Sequence, residues 1–480
     1  MGFFWQFGGA IFKTFAQLGI LFILARLISK AEFGIVQSAL VVVGLSQLFS
    51  QMGVGPALVQ KVNLTPTHIK VGSTISLGLG LTFFLIVYSS SGLIASFFKM
   101  PELQSVLKVI AFIFIIEGIT TVSQSLLLRQ MEQKTLIQIN FFSYLVGYGI
   151  VAVLLAYYGY GIWSLIIGQI AQSFLKSILS YLKCKHSVMP SFSRKEAKEL
   201  LHYGGGFTLA KLFNFFALEG DNVITGRYLG AEALGVYSRA YSIMVRPVSL
   251  IGDSIDAALF PAMAAKQDEP DRLIEAFING SKLISFLCIP IASVIIFSSK
   301  EIIHVLLGSE WGDTVLPLQI LTAGLLFRMG YKMGDCLTKA TGNVYSRAKR
   351  QFLYALGVIL GCYAGSHWGI VGVAFGTLFS VLLNYILMIH LSLNILKINW
   401  AYFLKRSFSD LYVALLLSLL FVAIIYFVRQ IAISEFLILL LSYGFYGICL
   451  MTLFYFYAHK LSFLEVLPFK RILNKITRQS

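Results

Sequence analysis

Fourteen apolar runs of about 20 residues follow one another along this 480-residue chain with little between them. At about 1.5 Å per helical residue, about 20 apolar residues cross a hydrocarbon core about 30 Å thick. The runs fall near 5–28, 33–59, 70–98, 103–128, 135–158, 162–182, 199–224, 232–263, 276–299, 313–338, 349–366, 369–393, 407–428 and 431–458. Composition removes the soluble alternative: 57% of residues are hydrophobic and 12% charged, with mean hydropathy +0.80. A soluble chain carries about a quarter charged residues. Forty Phe and 23 Tyr against 10 Pro fit helices with interfacial aromatics, whereas barrel strands alternate with period two. The first run lacks a basic leader and a small-residue cleavage site, so it reads as a span and not a removable signal. The expected fold is an all-α polytopic membrane protein of about 14 transmembrane helices.

Loop charge orients the bundle. With a cytoplasmic N-terminus, the inner loops and tail hold about 23 Lys/Arg and the outer loops about seven, the bias of the positive-inside rule. Both termini are therefore expected in the cytoplasm. The net charge of +16 follows from this topology. Since no soluble domain gathers the basic residues, nucleic acid is not an expected partner. Five scattered cysteines without CxxC or Cys/His pairing read as small core residues, not as a metal site or disulfide framework. No cofactor is expected.

An internal repeat divides the chain. ARLISKAEFGIV from Ala25 aligns without gaps on GRYLGAEALGVY from Gly226, which sets Arg26 on Arg227, Gly34 on Gly235 and Ile35 on Val236. FGGAIF at Phe7 resembles YGGGFT at Tyr203, and the Pro-Ala of Pro56 matches that of Pro261. Six runs separate the copies, an even number, so the repeats are parallel, a known transporter plan. The hydrophilic stretch 183–199 is the expected linker between the halves.

Beyond Asp221 the chain reads DNVITGRYLGAEALGVYSRAYSIMVRPVSLIGDSIDAALFPAMAAKQDEPDRL and continues through LLGSEWGDTVLPLQILTAG and KATGN. The N-terminal half carries LARLISKAEFGIVQSAL, MGVGPALVQK, LLLRQMEQKTL and GYGIWSL. Over roughly residues 5–395 these segments resemble the Wzx-type lipopolysaccharide and teichuronic-acid exporters. That family is the polysaccharide branch of the multidrug/oligosaccharidyl-lipid/polysaccharide flippase superfamily. The resemblance implies two pseudo-symmetric six-helix lobes around a central cavity, 1–185 and 186–398. Two further helices would follow in 399–460, then a basic cytoplasmic tail, 461–480. It also implies alternating access in a bacterial inner membrane, with an undecaprenyl-pyrophosphate-linked oligosaccharide carried between leaflets for cell-surface polysaccharide. Membrane lipids, and a polymerase and glycosyltransferases of the same pathway, are the implied partners.

Charges inside the apolar runs carry the chemistry. Arg239, Arg246 and Asp253 stand seven residues apart, near two helical turns, so they share one face. Charge at such depth is costly and by default marks a functional site. Lys13, Lys211, Arg246 and Arg328 fall near the midplane, Arg239 nearer the outer face, and Lys332 one turn below Arg328. Lys176 and Lys282 lie close enough to the inner face to snorkel. The acids at comparable depth are Glu117, Asp253, Asp256 and Asp335. They serve either coupling or internal pairing, and Arg328–Asp335 and the i,i+3 pair Lys332–Asp335 are the expected pairs. A cationic surplus suits a pyrophosphate, since Arg and Lys offset its desolvation by charge-assisted hydrogen bonds. Gln47, Gln51 and Asn214 could meet sugar hydroxyls or make ordinary interhelical bonds. Glu219 and Asp221 read as structural helix-end residues.

Two rivals remain. A drug/cation antiporter of the same superfamily calls for an acid-rich cavity, and here the surplus is positive. A membrane-embedded polysaccharide polymerase calls for a sizeable outer loop with catalytic groups, and no loop is long.

Overall fold

A computed structural model describes residues 2–51, 53–187, 190–267, 269–431 and 434–457. Side chains are described throughout these except at 2–13, 201–210, 250, 251, 253–258, 260–262, 344 and 453–457. Lys13, Asp253 and Asp256 therefore lie outside the described side chains, and the tail 461–480 lies outside the described residues.

The helices run α1 (Gly2–Leu27), α2 (Lys30–Gln51), α3 (Val54–Gln60), α4 (Pro66–Phe98), α5 (Leu103–Ile110), α6 (Phe112–Arg129) and α7 (Gln133–Phe142). A π-helical stretch, Ser143–Ile150, leads into α8 (Val151–Tyr157), then α9 (Ile162–Lys183) and the 71-residue α10 (Arg194–Ala264). There follow α11 (Pro270–Phe297), α12 (Ser299–Leu306), α13 (Val315–Ala323), α14 (Leu325–Ala340), α15 (Val344–Ser366), α16 (Gly369–Leu396), α17 (Trp400–Ser407), α18 (Leu411–Ile431) and α19 (Glu435–Tyr457). Among the described residues there is no strand. Nine described stretches are long and apolar enough to cross a membrane. The chain is a multi-pass helical membrane protein.

Backbone chemistry explains this economy. Without water, buried hydroxyls turn back on their own helix: Thr120 donates to the Ile116 carbonyl at 2.7 Å, Ser285 to Ser281 at 3.0 Å and Ser392 to Met388 at 2.8 Å. Large apolar side chains meanwhile face outward, among them Leu85 and Leu93 of α4 and Leu416 and Leu419 of α18. On a soluble protein such exposure would be a liability; here it meets lipid.

Contacts divide the chain into two compact units, Met1–Arg239 with Val358–Val373, and Ala240–Gly357 with Ala374–Ser480. In the first, Val54, Leu58, Val71, Val122, Leu126 and Leu200 form a buried core that joins α3, α4 and α6 to the start of α10. In the second, α18 and α19 close over Phe421, Ile425 and Tyr446. Ion pairs fasten these last helices to the unit: Arg429 donates to both oxygens of Glu301 (2.8 and 3.0 Å), and His304 meets Glu435 at 2.6 Å. Lys282 reaches Asp410 at 2.8 Å. Lys282 is thus paired where snorkelling was expected, because the α17–α18 corner brings it a carboxylate.

Candidate functional site

The long α10 breaks once, at Gly230, whose φ of 88° and ψ of −176° are open to glycine and not to larger residues. This break separates the stretches read as the seventh and eighth apolar runs. Just past it the chain meets α2 in a contact that only glycine allows. A Cβ on Gly235 would lie 1.9 Å from the Lys30 carbonyl oxygen, and one on Gly34 would lie 1.7 Å from the Ala231 carbonyl oxygen. In the repeat alignment Gly235 stands on Gly34 and Ala231 on Lys30. The two contacts are therefore one contact made twice, as a local two-fold axis requires. Glu32 anchors the same corner. One carboxylate oxygen accepts from the Ser29 N–H and hydroxyl (2.9 and 2.8 Å), the other from the Ile162 N–H opening α9 (2.8 Å).

Asp221 of DNVITGR and the preceding Glu219 serve packing. Asp221 is 2% exposed and accepts from the Tyr237 hydroxyl at 2.7 Å and the Asn222 N–H at 2.8 Å. Glu219 accepts from the Asn222 side chain at 2.8 Å. Two residues past Tyr237, the half-buried Arg239 holds its guanidinium 4.8 Å from the centroid of the buried Phe33 ring. Tyr148, in the π-helical stretch, lies within reach of that charge. Such stacking retains the charge while covering its flat face.

Nearer the start of α10, Phe215 packs on α2 at Gly44, where a Cβ would meet the ring at 3.1 Å. Lys211 and Asn214 precede this contact by one turn and one residue, and both are exposed. Gln47 and Gln51 continue the α2 face from Gly44 at i+3 and i+7. The helix contact thus brings both pairs to one α2–α10 seam. Gln51 and Lys176 of α9 both lie within reach of the Glu117 carboxylate of α6. Lys176 therefore faces an acid, where sequence depth implied simple snorkelling.

In the second unit, Arg328 and Lys332 of α14 face α10. Arg328, only 5% exposed, donates to the Tyr241 hydroxyl at 2.8 Å and lies 5.0 Å from that ring's centroid. Lys332 runs across Gly252, where a Cβ would fall 2.2 Å from its Nζ. Arg246 is half-buried on the intervening stretch of α10. The expected pairing of Asp335 with Arg328 and Lys332 is not made. Asp335 binds Lys339 at 2.6 Å and also Arg347 of α15. The reason is directional. An acid four residues before a base is the favoured helical order, and the short α14–α15 turn adds Arg347 on the same side. Among the described residues Lys332 makes no ion pair.

Of the predicted residues whose side chains are described, six lie in the first unit (Gln47, Gln51, Glu117, Lys211, Asn214 and Arg239) and four in the second (Arg246, Arg328, Lys332 and Asp335). Sequence reasoning missed the aromatic partners Phe33, Tyr148 and Tyr241, since an aromatic in an apolar run carries no polar signal. Gly252 was missed because a lone glycine in an apolar run carries no signal either.

Residues 23–316 match the family described as polysaccharide biosynthesis protein. Among curated relatives, the teichuronic acid biosynthesis protein TuaB of Bacillus subtilis is 27% identical over 317 residues, 66% of this chain and 65% of that protein. The matched stretch therefore spans just under two thirds of that relative's length. The lipopolysaccharide biosynthesis protein WzxC of Escherichia coli is 24% identical over 371 residues, 76% of this chain and 75% of its own. In solved structures, the lipid II flippase MurJ in an inward closed conformation superposes with a TM-score of 0.75 at 18% identity. That superposition covers 95% of this chain and 99% of MurJ. An inward-facing multidrug resistance MATE transporter gives 0.64 at 15% identity, over 80% of this chain and 95% of its own. At these identities the structural likeness is one of fold. The family match covers more than half of the sequence, and the chain belongs to the polysaccharide biosynthesis protein family.

Proposed function

We propose that this protein is a non-enzymatic flippase of a bacterial inner membrane, with both termini in the cytoplasm. It moves an undecaprenyl-pyrophosphate-linked oligosaccharide between leaflets for cell-surface polysaccharide synthesis. Two six-helix lobes, 1–185 and 186–398, expose a cationic cavity first inward and then outward while the lipid tail stays in the bilayer. A polymerase and glycosyltransferases act before and after it. The observation that carries this reading is the turning of Asp335 toward Lys339 and Arg347. It leaves Lys332 on α14 without that acid's neutralising charge. A cation antiporter needs the opposite balance.

Spread-out cations suit a carrier, which must release its cargo. Lys211, Arg239, Arg246, Arg328 and Lys332 receive the pyrophosphate, while Gln47, Gln51 and Asn214 meet sugar hydroxyls. Glu117, between Gln51 and Lys176, is the candidate coupling acid. The reciprocal Gly34–Ala231 and Gly235–Lys30 contact is the outer closure, and flipping requires it to part. A disulfide between K30C and A231C tests this. Oxidation should abolish surface polysaccharide at least about a hundredfold, and reductant should restore it. Normal polysaccharide from fully cross-linked protein would contradict the proposal.

A further inference from the structure

A cavity of about 460 Å³ opens where α4 begins, α6 ends and the chain leaves α9. Its apolar floor includes Leu64, Ile69 and Leu126. Four basic side chains stand around it: Lys70, Arg129, Lys185 and His186. Lys70 and His186 are half-buried, so their charge and polarity belong to the wall and not merely to solvent.

The wall is fixed by contacts that leave its charge in place. Arg129 donates to the carbonyl oxygens of Leu58, Val59, Lys61 and Val62 at 2.6 to 3.2 Å. These neutral acceptors hold the guanidinium without cancelling it. His186 contacts the Ser123 hydroxyl through Nε2 at 3.0 Å and sets its ring edge-on to Tyr181. The Ser191 N–H donates to the Thr74 hydroxyl at 2.9 Å and so pins the linker across α4. Among the described residues, no carboxylate pairs with Lys70, Arg129 or Lys185. Cys184 lines the same space, and burial pushes its thiol up, which keeps it neutral. The nearby Glu199 is engaged elsewhere, by Lys61 and His68.

We infer that this cavity is a binding site for a phosphate ester, with the basic wall on the phosphate and the apolar floor under a glycerol or acyl portion. It shares no residue with the α2–α10 seam or the α10–α14 face described above. An anionic phospholipid headgroup and a small soluble phosphate ester share this chemistry. Near a membrane surface each lysine is worth about fivefold in affinity for anionic lipid.

The test is lipid retention on the intact protein. Wild type and K70Q/K185Q are reconstituted in nanodiscs of equimolar phosphatidylglycerol and phosphatidylcholine, and lipid retained on release is measured by native mass spectrometry. Thermal unfolding in neutral detergent checks that the variant is folded. Wild type should retain phosphatidylglycerol over phosphatidylcholine by about tenfold or more, and the double variant should lose about twentyfold in phosphatidylglycerol retention. Displacement by millimolar glycerol 1-phosphate would assign the site to the soluble ester; resistance to it would assign the site to the lipid. If neither phosphatidylglycerol nor glycerol phosphate is held by wild type, or if folded K70Q/K185Q holds them equally well, the inference is overturned.

Discussion

Lys211 and Arg328 are both cations on α10 or against it, yet their settings are opposite. Lys211 is exposed beside Asn214, on a seam that Gln47 and Gln51 continue. Arg328 is 5% exposed, hydrogen-bonded to Tyr241 and stacked near its ring. A lysine in an open polar seam is a hydrated point charge that meets an anion at little cost and lets it go easily. A buried guanidinium stays protonated and has a fixed fork of donors. Tyr241 satisfies one of those donors without neutralising the charge. One region is adjustable and the other preorganised, a division that suits the proposed carrier, which would bind and release the same head group.

Arg328→Ala should produce the largest effect that separates the two regions. It removes a charge-assisted donor worth about 1.5–3 kcal/mol, so polysaccharide output should fall about tenfold to a hundredfold. Arg328→Lys should fail to restore it, because an ammonium reproduces neither the fork nor the stacking. Full rescue by lysine would show that Arg328 acts only as a point charge and would break the contrast. Lys211→Ala should cost less, about threefold to tenfold in output, and Lys211→Arg should recover most of it, as a loose electrostatic contact allows. A loss as large as that of Arg328→Ala would mean that the seam is as tightly organised as the α14 face.

Asp335→Asn should have the smallest effect. Its partners Lys339 and Arg347 are 40% and 32% exposed, and pairs so open contribute about 0–1 kcal/mol to stability. Thermal unfolding should shift slightly, with transport unchanged. A transport defect from this conservative change in a folded protein would return Asp335 to the carrier's machinery and undo its assignment to the α14–α15 turn.

Much of this could be read from sequence because membrane burial writes itself in long apolar runs. Nine of the apolar stretches, among the described residues, fall on helices long and apolar enough to cross a membrane, and the break at Gly230 lies in the short gap between 199–224 and 232–263. The repeat already aligned Gly34 with Gly235; that the matched segments touch each other became clear only in three dimensions. Side-chain partnerships were harder. Asp335 had bases at both i−3 and i+4, and the choice turned on Arg347, across a turn whose geometry no local pattern encodes. Lys282 pairs with Asp410, far away in sequence, and Lys176 lies within reach of Glu117. Tyr241 looked like any aromatic in an apolar run, although its hydroxyl is what makes room for the buried charge of Arg328.

The central claim is that cations on these helices receive a pyrophosphate. It is tested most directly by reconstituting wild type and K211A/R246A in proteoliposomes that carry undecaprenyl-pyrophosphate-linked oligosaccharide. Head-group exposure on the far leaflet is then followed with an impermeant glycan-modifying enzyme. The account predicts flipping by wild type and at least about a tenfold slower rate for the folded double variant. Equal rates for the two proteins would contradict it.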